Sequence, residues 1–152
     1  MKVRTKENGS NNDDWKTPSY LLDKIKEEFG EFYDPCPYQA KFDGLKSEWG
    51  DVNFINPPYS TGNKTAFIKK AIEEYKKGKT CILLIPASTE TKDFKMLWEN
   101  ANEIRFIHKR VKFHGYNTKK KWVTNATGQT GSMLIILREH NYLKPITSLI
   151  IY

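Results

Sequence analysis

Apolar positions along this chain fall into two rhythms. Leu21, Leu22, Ile25 and Phe29 follow helical spacing, with Thr17 placed to cap, Pro18 at the first helical position and Gly30 as the stop. Residues 63–77 repeat that spacing through Phe67, Ile68, Ala71, Ile72 and Tyr75, with lysines on the outer face and Gly78 as terminator. A third helix, about 90–100, carries Phe94, Leu97 and Trp98, and the helical spacing of Phe94 and Trp98 turns both toward the core. Short apolar runs at 32–34, 52–55, 81–85, 104–108, 111–113, 133–137 and 146–151 read as strands. The run 81–85 has no polar alternation, which suits a strand buried on both faces of a parallel sheet flanked by helices. Residues 38–49 show no period, and Trp49 with Gly50 turns the chain into the strand at 52. Helices alternating with strands, then strands alone, predict a doubly wound α/β sheet closed by an antiparallel hairpin.

Residues 1–14, with Asn8, Gly9, Ser10, Asn11 and Asn12, bury nothing and read as a flexible tail or mobile cover, so a single domain is expected over residues 15–152. The chain is 152 residues long, with 38% hydrophobic and 13% aromatic residues, enough for one core and too little for a multidomain assembly. No apolar run approaches the roughly 18 residues of a membrane span, and the first residues lack the apolar centre of a signal peptide. A cytoplasmic protein without a membrane partner is expected. Cys36 and Cys81 have no paired or ligand spacing and read as buried thiols. His108, His114 and His140 lie far apart, so no metal is expected. The net charge of +7 favours an anionic partner, nucleic acid first, although a solvated basic surface accounts for the same balance.

Chemistry concentrates in Asn56-Pro57-Pro58-Tyr59-Ser60, directly after the strand at 52–55, where open α/β sheets place their ligands. Pro57 and Pro58 fix the loop and remove two backbone donors, leaving carbonyl oxygens to accept. Asn56 adds a side-chain oxygen, and Tyr59 adds a flat face for a planar group. Two acceptors holding the hydrogens of an amino group conjugated to a ring would draw its nitrogen toward tetrahedral geometry and free the lone pair for alkylation. An ordinary strand-to-helix turn uses similar residues, but the full string at a strand end is more specific than a proline pair.

That string matches the signature of S-adenosylmethionine-dependent enzymes that methylate exocyclic nitrogens. Together with Trp15, Thr17, Pro18, Leu21, Asp34-Pro35-Cys36-Pro37, Asp43-Gly44-Leu45, Trp49, Leu84-Ile85-Pro86-Ala87, Arg110 and Phe113, the chain resembles the phage-type DNA N6-adenine methyltransferase (Dam) family over about residues 13–137. The resemblance implies a Rossmann-like methyltransferase sheet, S-adenosylmethionine as cofactor and double-stranded DNA as partner. It makes Asn56, Pro57, Pro58 and Tyr59 catalytic, with Asn56 and the Pro57 carbonyl on adenine N6 and Tyr59 stacked on the extruded base. Cofactor contacts would come from Asp34 and Pro35 near the methionine ammonium, from Asp43 at the ribose, and from Asn56. Thr17 and Pro18 would close over the methionine end, although helix capping explains them equally well. Asp43-Gly44 is also a good turn. No glycine-rich loop follows Asp34, and only 22 residues separate it from Asn56, so the sheet is expected to be abridged between these strands and its adenosine pocket shallow.

The basic segment 109–131 interleaves Lys109, Arg110, Lys112, Lys119, Lys120 and Lys121 with Phe113, Tyr116 and Trp122. Arg110, Lys119, Lys120, Lys121 and Trp122 are therefore the expected DNA contacts, the cations on phosphates and the ring as a wedge or stacking surface. A hairpin whose lysines are merely solvated is the plain alternative. The four-residue string also serves enzymes acting on RNA adenine or protein glutamine, and an inactive DNA-binding relative would keep the same basic surface. A homodimer would double the footprint of so small a chain. The setting expected for the reaction is the cytoplasm of a bacterial or phage-infected cell, with GATC the first recognition sequence to test.

Overall fold

The computed structural model describes residues 14–60, 62–141 and 143–152, so residues 1–13 of the expected tail lie outside the described residues. In chain order the elements are α1 (Ser19–Phe29), β1 (Val52–Ile55), α2 (Asn63–Lys76), β2 (Thr80–Pro86), α3 (Lys92–Asn100), β3 (Glu103–Ile107), β4 (Phe113–Tyr116), β5 (Trp122–Ala126), β6 (Ser132–Leu137) and β7 (Ile146–Ile150). Five strands form one sheet in the order β1-β2-β6-β3-β7. The α/β class and the helices on both faces are as expected, but the sheet is mixed. β1 runs parallel to β2, and β3 to β7, while β6 lies antiparallel between β2 and β3. An unbroken apolar run reports burial on both faces and says nothing about strand direction, which is why the sequence did not reveal the reversal.

Alternate side chains of the central strands serve two cores. Cys81, Leu83 and Ile85 of β2 join Met133, Ile135 and Leu137 of β6 under α2 and α3, where Phe67, Ile68, Ala71, Ile72 and Leu97 are buried. Ile82, Leu84, Leu134 and Ile136 face the other way, onto Leu21 and Ile25 of α1. Burying such a side chain stabilises the fold by about 1.5–3 kcal/mol.

Several local expectations change. The strand expected at 32–34 reduces to one parallel bridge between Tyr33 and Asn53, closed by Tyr33 N to Val52 O and Phe54 N to Tyr33 O, both 2.9 Å. Pro35 and Pro37 supply no amide donors with which to continue the ladder. That lone bridge is the abridged edge. The antiparallel hairpin exists, but β4 and β5 form a separate two-stranded sheet and do not close the larger one. β5 escapes sequence reading because it is polar and mostly exposed, with Val123 and Ala126 as its links to the second core. Pro18 takes the cap position of α1, and no side chain caps that helix. Thr91 does cap α3, accepting from Phe94 N at 3.1 Å. Phe94 packs on the first core as expected, whereas Trp98 is 37% exposed. Cys81 is buried and Cys36 half-buried, and both are free thiols.

Candidate active site

The site begins where β1 ends. Asn56 is the first residue beyond the strand, and it is held at three points. Its Nδ2 donates to Thr17 Oγ1 at 3.0 Å. Its Oδ1 accepts from the Tyr59 hydroxyl at 2.7 Å. Its backbone carbonyl accepts from the Cys36 thiol at 3.2 Å. The Tyr59 hydroxyl also lies 3.1 Å from the Leu84 carbonyl oxygen, so the phenol is pinned to the end of β2. Burial pushes the Tyr59 phenol and the Cys36 thiol well above their ordinary values, so both are protonated donors at neutral pH.

Beside this loop opens a cavity of about 450 Å³, within the range of small-molecule sites. Pro35, Cys36 and Pro37 form one wall, Asp43 and Gly44 another, Asp14 and Trp15 a third, and Asn56, Pro58 and Phe67 complete it. The walls meet by a backbone contact: a Cβ at Gly44 would stand 1.8 Å from the Pro35 carbonyl oxygen. Asp43 Oδ1 caps its own turn by accepting from Leu45 N at 3.0 Å, while its other oxygen faces Lys46 at 3.6 Å on the surface.

Asp34 stands next to this wall without lining it. Its Oδ1 accepts from Cys36 N at 2.9 Å, and burial pushes its pKa up to about 6 against the opposing effect of that bond. No cation of the described residues enters among the influences on it. A half-buried carboxylate in that condition is suited to a ligand that brings its own positive charge.

The segment 14–17 ties these parts together. Asp14 Oδ1 accepts from Gln39 N at 3.0 Å. Lys16 and His114 exchange backbone hydrogen bonds of 2.7 and 3.0 Å with β4. Trp15 packs so closely on Gly115 that a Cβ there would lie 2.7 Å from its ring. The hairpin therefore leans on one wall of the cavity. Its turn folds around Asn117, whose Oδ1 accepts from Lys119 N and Lys121 N at 3.0 Å each, leaving Lys119, Lys120 and Lys121 exposed. Trp122, 45% exposed, contacts Tyr116 edge-on at 5.3 Å and Tyr38 at 5.9 Å. Arg110 is exposed and donates from Nη1 to Gly128 O at 2.8 Å.

Among the residues singled out from sequence, Asn56, Pro58, Pro35 and Asp43 line one cavity, and Tyr59 reaches it through Asn56. Thr17, Pro18, Asp34 and the buried Pro57 do not line it. Thr17 is engaged with Asn56, and Pro18 is buried at the start of α1. Arg110 and the lysines lie on the hairpin and its flank, outside the cavity. Sequence reading missed Asp14 and Trp15 as cavity walls and Cys36 as a support of the Asn56 carbonyl. Their polar or loop-rich surroundings carry no period to reveal such contacts. Among the described residues no helix is long and apolar enough to cross a membrane, and no group of three His, Cys, Asp or Glu is arranged to hold a metal ion.

A DNA N-6-adenine-methyltransferase of Escherichia phage T1 is 26% identical over 168 residues, covering 89% of this chain and 69% of that protein. A solved structure from Listeria monocytogenes, described as a class I S-adenosylmethionine-dependent methyltransferase, is 17% identical with a TM-score of 0.42, covering 72% of this chain and 39% of its own. The family described as DNA N-6-adenine-methyltransferase (Dam) matches residues 4–151, nearly the whole sequence. The chain therefore belongs to the DNA N-6-adenine-methyltransferase (Dam) family.

Proposed function

We propose that this chain methylates the N6 amino group of adenine in double-stranded DNA, with Asn56 as the principal acceptor of the amino hydrogens. Enzymatic methylation of DNA adenine at N6 is the activity of its family, and the three-point fixation of Asn56 at the end of β1 is the observation that carries the residue assignment. A carbonyl oxygen has two lone pairs, so Asn56 Oδ1 can keep the Tyr59 bond and accept an amino hydrogen as well. The Pro57 carbonyl is the second acceptor, as the matched signature implies, while the Asn56 backbone oxygen accepts from Cys36. Held between them, the amino nitrogen loses conjugation with the ring and becomes a nucleophile. Pro58 keeps the loop rigid, and Tyr59, anchored at its hydroxyl, offers its ring to the extruded base.

S-adenosylmethionine, when bound, supplies an electrophilic sulfonium methyl group. The cavity fits it in size, with Asp43 for ribose hydroxyls and Asn56 at the boundary with the base, while Asp34, next to the Pro35 wall and outside the lining, supplies negative charge on the side of the ammonium. The hairpin bearing Lys119, Lys120, Lys121 and Trp122, with Arg110 on its flank, supplies the DNA track, cations on phosphates and the exposed ring near the base. Two chains on one palindromic site would double that track. The reaction belongs in the cytoplasm of a bacterial or phage-infected cell, where duplex DNA is available.

Incubation with labelled S-adenosylmethionine and duplex DNA, RNA or protein, followed by nucleoside and residue analysis, tests the reading. N6-methyladenine in DNA is expected, with GATC-containing duplexes the first substrates. Label only in RNA or in glutamine, or DNA binding with no transfer, would overturn it.

A further inference from the structure

We infer that Thr17 is a positioning residue for the reaction, anchoring the Asn56 amide where it faces the substrate; the inference rests on the reading of Asn56 as the amino acceptor. Thr17 lies 39 positions before Asn56 and is 7% exposed, and its Oγ1 accepts from Asn56 Nδ2 at 3.0 Å. The hydroxyl is not spent on capping α1, because Pro18 holds that position and no side chain caps the helix.

An asparagine amide has two ends of nearly the same shape and opposite chemistry. With Nδ2 on Thr17 and Oδ1 toward Tyr59, an oxygen remains for the amino hydrogens. Turned over, the same side chain would bring a donor against a donor. A threonine hydroxyl both donates and accepts, so its part is to fix where the amide sits, and it can do so because its own position is fixed. Lys16 is bonded to His114 in both directions, Asp14 is bonded to Gln39, and Pro18 limits the following backbone. Thr17 does not line the cavity, so its hydroxyl can be lost without removing a wall of the cofactor site. The catalytic amide is thus referenced to a strap that also contacts the hairpin.

Thr17→Val keeps the shape of the side chain and removes the hydroxyl, leaving the half-buried Asn56 amide without that anchor. The expected loss in kcat is about ten- to a hundred-fold, with KM for DNA and the calorimetric Kd for S-adenosylmethionine within about twofold of wild type. Thr17→Ser should restore kcat to within about threefold, because it returns the hydroxyl alone. In an Asn56→Ala background, Thr17→Val should cost nothing further. Should the valine variant fail to fold, the comparison of Thr17→Ser with Thr17→Ala carries the same contrast. A weakened Kd with kcat retained would make Thr17 a cofactor contact, and a serine variant as impaired as the valine would make the methyl group's packing the cause. Either result, or an unchanged kcat in Thr17→Val beside a crippled Asn56→Ala, overturns the inference alone. Normal turnover by Asn56→Ala would instead bring down the reading of Asn56 itself.

Discussion

Gly44 meets the carbonyl oxygen of Pro35 so closely that a methyl group on its Cα would stand 1.8 Å from it. Two loops of the cavity are thereby pressed together without a side chain between them. Cofactor-binding sheets commonly use glycines directly after the first strand, so that backbone can approach the ligand. Here Asp34 is followed by Pro35-Cys36-Pro37, and the required glycine sits in the next turn, where it lets one loop approach another.

Gly44→Ala must therefore push the Asp43 wall away from Pro35. Overpacking of this kind costs about 1–3 kcal/mol, and the displaced wall should weaken S-adenosylmethionine binding by more than tenfold. Thermal unfolding and calorimetry on the same preparation check both effects. Wild-type affinity in Gly44→Ala would mean that the cofactor does not use this wall.

Tyr59 allows hydroxyl and ring to be separated. Tyr59→Phe deprives the Leu84 carbonyl and Asn56 Oδ1 of a donor while keeping the ring, so stability should fall by about 1 kcal/mol and methylation by only a few-fold. Tyr59→Ala also removes the stacking face and should raise KM for DNA as well as lower kcat. Steady-state kinetics beside chemical denaturation distinguishes the two.

Asp34 predicts a pH dependence with a definite sign. Burial raises its pKa from 3.8 to about 6, so the folded chain holds a proton that the unfolded chain releases earlier. Its contribution to stability is then greatest below about pH 4, falls as pH rises to about 6, and is level above. Asp34→Asn should remove that slope and gain stability over wild type progressively between pH 4 and 7. A ligand ammonium favours the carboxylate, so cofactor binding by wild type should tighten from pH 5 to 7 with proton release near pH 6. Binding by Asp34→Asn should be weak and level across the same range. Calorimetry in buffers of different ionisation enthalpy measures the protons directly.

The hairpin lysines are testable through salt. Each phosphate contact adds about 0.9 to the magnitude of the slope of log affinity against log salt. Replacing Lys119, Lys120 and Lys121 with alanine should flatten the slope by about 2 to 3, with affinity lower on every sequence and the preferred sequence unchanged. An unchanged slope would place the DNA track elsewhere, and a changed preference would assign these residues to base reading.

How much of this was legible in the sequence depends on distance along the chain. The helices and buried strands announce themselves through apolar periods, and the Asn56-to-Ser60 string stands out because proline and asparagine at a strand end have few neutral uses. Thr17 was ambiguous for a physical reason: a hydroxyl before a helix looks like a cap, and nothing local reveals a partner 39 residues away. The direction of β6 was hidden because full burial erases the polar alternation that would separate the cases. β5 was hidden by the opposite condition, since its ladder with β4 needs only backbone groups and its side chains are largely in water.

The assignment of Asn56 as the acceptor that frees the adenine amino group is tested most directly by one comparison. Single-turnover methylation of duplex DNA would be measured for wild type and Asn56→Ala, with N6-methyladenine quantified and cofactor and DNA both saturating. The predicted result is a fall of about a hundred- to a thousand-fold, the usual consequence of removing one preorganised polar group, in a protein whose unfolding transition and cofactor affinity are otherwise close to wild type. N6-methyladenine formed by Asn56→Ala at the wild-type rate would contradict it.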